Sequence, residues 1–234
     1  MNIAIMQPYF LPYIGYFQLI NAVDKFIFYD DVQYMKGGWI NRNRLLANGQ
    51  VAYFNVEMSG ASANKKINEV EISRNLKWKK KLIKTISQAY SKAPNFKNVI
   101  LLIEGIIMFK TKNGLLSEYV INSITAVCDY LDISTEIGLT SSVYDNSILS
   151  GQGRVLDICS KEKSSSYVNP IGGLELYSQE AFNNCGLKLR FIETVSEKYS
   201  QGNLEFVPSL SILDVMMHNS KSEIKTMLDE YELI

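Results

Sequence analysis

The chain has 234 residues, 47% hydrophobic and 21% charged, with 24 basic and 24 acidic side chains. These values exclude a disordered or collagen-like chain, and a net charge of zero excludes a generally basic nucleic-acid coat protein. The single histidine, His218, leaves no material for a His-rich metal site, and any Ser-His-Asp or Cys-His nucleophile would have to use it.

Residues 2–6 read as a short buried strand, residues 14–22 as a helix and residues 25–29 as a second strand. Strand, loop, helix, strand is the opening of a parallel α/β sheet. Residues 51–58 and 68–72 alternate apolar and polar and are expected to pair as strands, with 59–66 as a loop between them. Residues 75–91 carry Trp78, Leu82, Ile86 and Tyr90 on one helical stripe, with Lys77, Lys79, Lys80, Lys81 and Lys84 on a solvated face. Helices are expected at 98–110, 114–131, 151–161, 178–184, 209–218 (capped by Ser209) and 220–230. Short strands are expected at 133–137, 166–169 and 187–192. The whole of 1–234 reads as one domain with a helical subdomain at 75–132: an open, mostly parallel α/β sheet with flanking helices, plus a helical portion.

The three cysteines, Cys128, Cys159 and Cys185, form no C-x-x-C pair, which fits a reducing cytoplasm. No basic run precedes the first apolar stretch, and Gln7 and Pro8 interrupt it, so neither a signal peptide nor a membrane span is expected. Charge is uneven along the chain. Residues 36–97 hold 13 lysines and arginines against three glutamates, and 98–234 hold 10 basic against 18 acidic residues. A basic segment in a neutral chain points to an anionic ligand such as a nucleotide or sugar phosphate.

Two clusters carry candidate chemistry. The first runs from Gln7 to Phe17, between the first strand and the first helix. In an open parallel sheet, ligands bind beyond the carboxyl ends of the strands. Gln7, Tyr13 and Tyr16 are therefore expected to face the cleft, Gly15 to permit a close approach, and Phe10 and Phe17 to pack the helix on the sheet. The second cluster, Tyr29 to Arg44, follows the second strand and should sit beside the first. Lys36, Arg42 and Arg44 are cations suited to phosphate, Arg42 and Arg44 bidentately. Trp39 or Tyr13 offers a ring for a base. Asp30 or Asp31 could act as general base, with Gln7 and Asn41 as neutral donors to an oxyanion. Gln33 lies in the same stretch. Arg154 is a weaker phosphate candidate.

Tyr13-Ile14-Gly15-Tyr16 resembles, in degenerate form, the H-x-G-H signature of adenylyl-transferring α/β enzymes. It lacks both histidines, so cations would have to come from elsewhere. The resemblance implies a Rossmann-type fold.

Over nearly its whole length the chain resembles the WbqC-like family. The residues that carry the likeness are Gln7 to Phe17, Ala22, Asp24, Asp30 to Tyr34 and Trp39 to Arg44. Near the far end they are Tyr199, Gln201, Phe206, Pro208 and Ser209 to Asp214. Tyr167 to Gly173 departs from the family pattern, which has a Ser-Gly pair after the tyrosine. The resemblance implies a bacterial role in O-antigen or other surface polysaccharide. It implies a transferase that adds an acyl or aminoacyl group, such as glycyl, to the amine of a nucleotide-linked amino sugar, using ATP or an activated acyl donor. A nucleotidyl or sugar transferase of the same pathway and a non-catalytic sugar-nucleotide binding protein are the alternatives. Tyr199, Gln201 and Ser211 are expected to touch the ligand, and the polar stretch 196–203 to close over the cleft.

Overall fold

The computed structural model describes residues 1–195, 198–202 and 205–234. The chain begins with β1 (Asn2–Met6), α1 (Ile14–Asn21) and β2 (Lys25–Phe28). Then come β3 (Arg42–Ala47), β4 (Gln50–Asn55), β5 (Met58–Ser59) and β6 (Glu71–Ile72). Three helices follow: α2 (Lys77–Tyr90), α3 (Phe96–Met108) and α4 (Leu116–Leu131). The remainder is β7 (Glu136–Gly138), α5 (Gly151–Lys161), β8 (Ser166–Pro170), α6 (Gln179–Asn184), β9 (Lys188–Thr194), α7 (Ile212–His218), α8 (Lys221–Met227) and β10 (Tyr231–Leu233).

The six-stranded sheet has the order β10-β9-β8-β1-β2-β7. Its strands pair in parallel, apart from the antiparallel β9–β10 edge. This is the mostly parallel α/β sheet with flanking helices read from the sequence. The strands are covered on both faces, so their residues alternate between two apolar layers. Ala4, Phe26, Phe28, Val168 and Ile192 enter one layer, which continues into α1–α4, α7 and α8. Ile3, Ile5, Ile27, Tyr167, Leu189 and Phe191 enter the other, beneath α5 and α6. Burying each large side chain contributes roughly 1.5–3 kcal/mol. No helix among the described residues is long and apolar enough to cross a membrane.

Four expectations need correction. First, the main hairpin is β3–β4, in six-residue register across Asn48-Gly49; 51–58 does not pair with 68–72, and only Met58–Ser59 meets Glu71–Ile72. Both turn residues have positive φ (51° and 77°), as a type I′ turn requires. Second, Lys79 is not on the solvated face of α2. It is buried, donates to the Phe109 carbonyl (2.7 Å) and lies 4.6 Å from the Tyr119 ring centre. Third, α7 starts at Ile212 and is capped by Ser211, not Ser209. Fourth, α8 stops at Met227, and the chain then adds the edge strand β10.

Candidate functional site

The first loop leaves β1 at the carboxyl edge of the sheet and is tied down from three sides. Phe10 N–H donates to Ile40 O (3.0 Å), and the buried Asn43 amide donates to Phe10 O (3.2 Å) and Leu11 O (2.8 Å). Ser211 Oγ donates to Leu11 O (2.7 Å), and Ile212 N–H to Pro12 O (2.7 Å). Buried carbonyls need such partners, so Asn43 and Ser211 set the shape of the loop. Gly15 is forced by packing: a Cβ there would overlap Thr194 Oγ1 and the Tyr13 ring. Tyr16 lies in the core, where its hydroxyl donates to Gln7 O (2.8 Å) and burial pushes its pKa well above the usual phenol value. Gln7 is half-buried, at the end of β1.

The loop and the hairpin meet at a pocket of about 260 Å³, bounded by Tyr9, Pro12, Tyr13, Trp39, Asn43 and Arg44. The Trp39 indole is 40% exposed. The Arg44 guanidinium lies 5.5 Å from its ring centre, and that of Arg42 5.8 Å from it and 5.0 Å from Tyr53. Arg42 donates to the carbonyls of Gly37 and Gly38, and Arg44 to that of Ser209 (2.9 Å). Among the described residues no carboxylate pairs with either arginine, and the buried Arg44 Nε has no hydrogen-bond partner. On the far side of Arg42 a second hollow of about 450 Å³ is bounded by Tyr34, Lys36, Asn41, Arg42 and Tyr53. Asn41 is buried there, accepting from the Tyr34 hydroxyl (2.9 Å). Gln33 points away and donates to Ala63 O (2.5 Å).

Asp30 and Asp31 lie just beyond the end of β2 and line neither hollow. Asp30 Oδ1 accepts from Thr140 Oγ1 (2.7 Å) and Ser141 N (3.1 Å). Burial raises its pKa against those bonds, which lower it. Asp31 is held by Ser141 Oγ and by an ion pair with Arg154, and both partners of the pair are buried. Arg154 also donates to Asn146 Oδ1 (2.8 Å) and lies over the Tyr29 ring at 4.8 Å. Its cation is thus committed inside the protein, not presented to a phosphate.

Tyr199 and Gln201 converge on Asp214, which is fully buried. Asp214 accepts from Tyr90 Oη (2.8 Å), Tyr199 Oη (2.7 Å) and Gln201 Nε2 (3.0 Å). Of the stretch expected to close over the cleft, residues 196, 197 and 203 lie outside the described residues.

The structure therefore gathers Tyr13, Trp39 and Arg44 around one mouth, with Arg42 beside the Trp39 ring and lining, with Lys36 and Asn41, the hollow beyond it. It leaves Gln7, Tyr16, Asp30 and Asp31 at or below the sheet edge, and puts Tyr199, Gln201 and Ser211 in the supporting structure. Tyr9, Pro12, Asn43 and Tyr53 also bound or support the mouth. Asn48-Gly49, a strong hairpin signal, would have placed Asn43 on the inward side of a strand and the two arginines on its other side.

The chain is 28% identical over 222 residues to an uncharacterized protein of Mycobacterium tuberculosis, Rv1507c, covering 93% of each chain. No solved structure matches it. The model of the WbqC-like protein family matches residues 7–226, a span that takes in both loops, the arginine-bearing hairpin and the Asp214 network, and the chain belongs to that family.

Proposed function

We propose that the chain binds a nucleotide-linked amino sugar at the Trp39–Arg44 pocket and transfers an acyl or aminoacyl group, such as glycyl, to its amine. Membership in the WbqC-like family suggests a part in polysaccharide biosynthesis, and this reading gives that part a reaction. The observation that carries it is a pair of arginines that no carboxylate among the described residues neutralises, beside a half-exposed indole. Such a surface favours an anion joined to a flat ring: the guanidinium forks take diphosphate oxygens and the indole or Tyr13 stacks on the base.

In the transfer, the sugar amine attacks the carbonyl carbon of an activated acyl donor. A C–N bond forms, the donor's leaving group departs with its electron pair, and the amine proton goes to a base. In this reading Asp30 is the base, because burial raises its proton affinity, and the sugar amine reaches from the Trp39 mouth to the end of β2, since Asp30 lines neither hollow. Gln7 follows β1 where Tyr29 and Asp30 follow the paired β2, and supplies an amide donor at the same edge. In this reading ATP is the source of donor activation.

A second reading, a non-catalytic binder of nucleotide-sugars, draws on two observations: among the described residues no carboxylate lines the pocket, and Asp31 is neutralised by Arg154. Calorimetric titration with UDP- and dTDP-linked amino sugars, followed by an assay for acylated product with ATP and glycine or an acyl thioester, separates the two. The transferase reading expects binding that Arg44→Gln weakens at least tenfold, and product that Asp30→Asn abolishes while binding persists. Binding without product in either form supports the second reading, and absence of binding rejects both.

A further inference from the structure

We propose that the hollow between the β3–β4 turn and the end of α2 is a second, separate ligand site, for a neutral carbohydrate, with His218 facing the guest. The hollow measures about 580 Å³, within the range of small-molecule sites (about 300–1,000 Å³). It does not depend on the transfer reaction, because it shares no lining residue with the Trp39 pocket.

The floor is built before any guest arrives. Asp214, fully buried, holds Tyr90, Tyr199 and Gln201 by their polar ends. Gln201 also accepts from Val207 N (2.8 Å) and donates to Val207 O (3.0 Å). His218 Nε2 stands 4.0 Å from Asp214 Oδ1, and its ring lies 6.0 Å from that of Tyr90 and 6.4 Å from that of Tyr199. Side chains locked in this way present their faces in fixed orientation. A neutral imidazole has one donor and one acceptor nitrogen, which matches a hydroxyl, itself both donor and acceptor. Burial lowers the His218 pKa and favours that neutral form.

The rim is free. The side chains of Asn48, Gln88 and Ser91 are exposed and bond to no other described residue. Two amides and a hydroxyl form a set that reads the hydroxyls of a sugar ring, while the partly exposed His218 imidazole, backed by the buried Tyr90, faces the guest from the floor. Among the described residues no carboxylate lines the hollow, and Lys92 is its one formal cation. It therefore lacks the acidic ligands of a metal site and the arginine forks that suit the Trp39 pocket to a diphosphate. Strand β3 runs between the two sites. Arg42 and Arg44 flank Trp39, whereas Leu46 and Asn48 farther along border the hollow. At roughly 3.3 Å per strand residue, the two mouths are about 13 Å apart.

His218 is the only histidine in the chain, so its ring resonances report the site without ambiguity. Glucose and N-acetylglucosamine, each titrated to tens of millimolar, are expected to shift those resonances saturably. Gln88→Ala or Asn48→Gly should weaken binding about fivefold, the worth of one hydrogen bond. Glycine keeps the positive φ of position 48, so the turn survives that substitution. Arg44→Gln should leave the shift intact. The proposal is overturned if neither sugar gives a saturable shift, if both rim variants bind as the parent does, or if Arg44→Gln abolishes the response.

Discussion

Arg154 and the pair Arg42 and Arg44 share a side chain but are used in opposite ways. Arg154 is buried, ion-paired to Asp31 and bonded to Asn146. Arg42 and Arg44 lie at the surface of a hairpin, where among the described residues they meet carbonyls and aromatic rings. The difference teaches that position in the fold, and not residue type, decides which cation can serve a ligand. An arginine with a buried carboxylate is fixed in the frame. An arginine with rings for company keeps its charge for an anion.

The comparison is broken most severely at the frame. Arg154→Ala leaves Asp31 buried without its cation, and unfolding in urea should show a loss of about 3–5 kcal/mol. Next comes the start of α1, which follows the first loop. Gly15→Ala forces a methyl group against Thr194 and Tyr13, and should cost about 1–3 kcal/mol in the same measurement.

Two smaller effects depend on pH. The folded-state pKa of His218 is lowered from 6.5, chiefly by burial and against the attraction of Asp214. Between that value and 6.5 the unfolded chain binds more protons, so the stability this group allows is complete above 6.5 and is lost as pH falls. His218→Gln should flatten that part of a thermal-melt profile. Asp30 has the opposite sign. Its pKa is raised from 3.8, so its contribution is complete below 3.8 and is lost as pH rises through the folded value. Asp30→Asn should remove that fall. Smallest in stability, and largest in binding, is Arg44→Gln: a partly exposed cation–π contact contributes about 0.5–1 kcal/mol, so its melting temperature should move little while nucleotide-sugar binding drops.

The sheet was legible because short apolar runs alternating with amphipathic helices leave few other folds, and α1, α2, α4 and α5 begin and end within about two residues of their expected bounds. The hairpin was obscured because Arg42-Asn43-Arg44 is too polar to look like a strand. Its inward residue, Asn43, is polar in order to bond the carbonyls of Phe10 and Leu11. The meeting of the two loops was legible from topology alone, since both leave parallel strands at the same edge. Which ionised groups are free and which are committed was not. Asp31 meets Arg154 across 123 positions and Tyr90 meets Asp214 across 124, and no local spacing signals such partners.

The most direct test of the central claim is calorimetric titration of the parent chain, Trp39→Ala and Arg44→Gln with a nucleotide diphosphate-linked amino sugar. The account predicts saturable binding to the parent that weakens with added salt and falls at least tenfold in each variant, with unfolding curves unchanged to within about 1 kcal/mol. Equal affinity in all three proteins would contradict it, as would binding lost in Arg154→Gln but kept in Arg44→Gln.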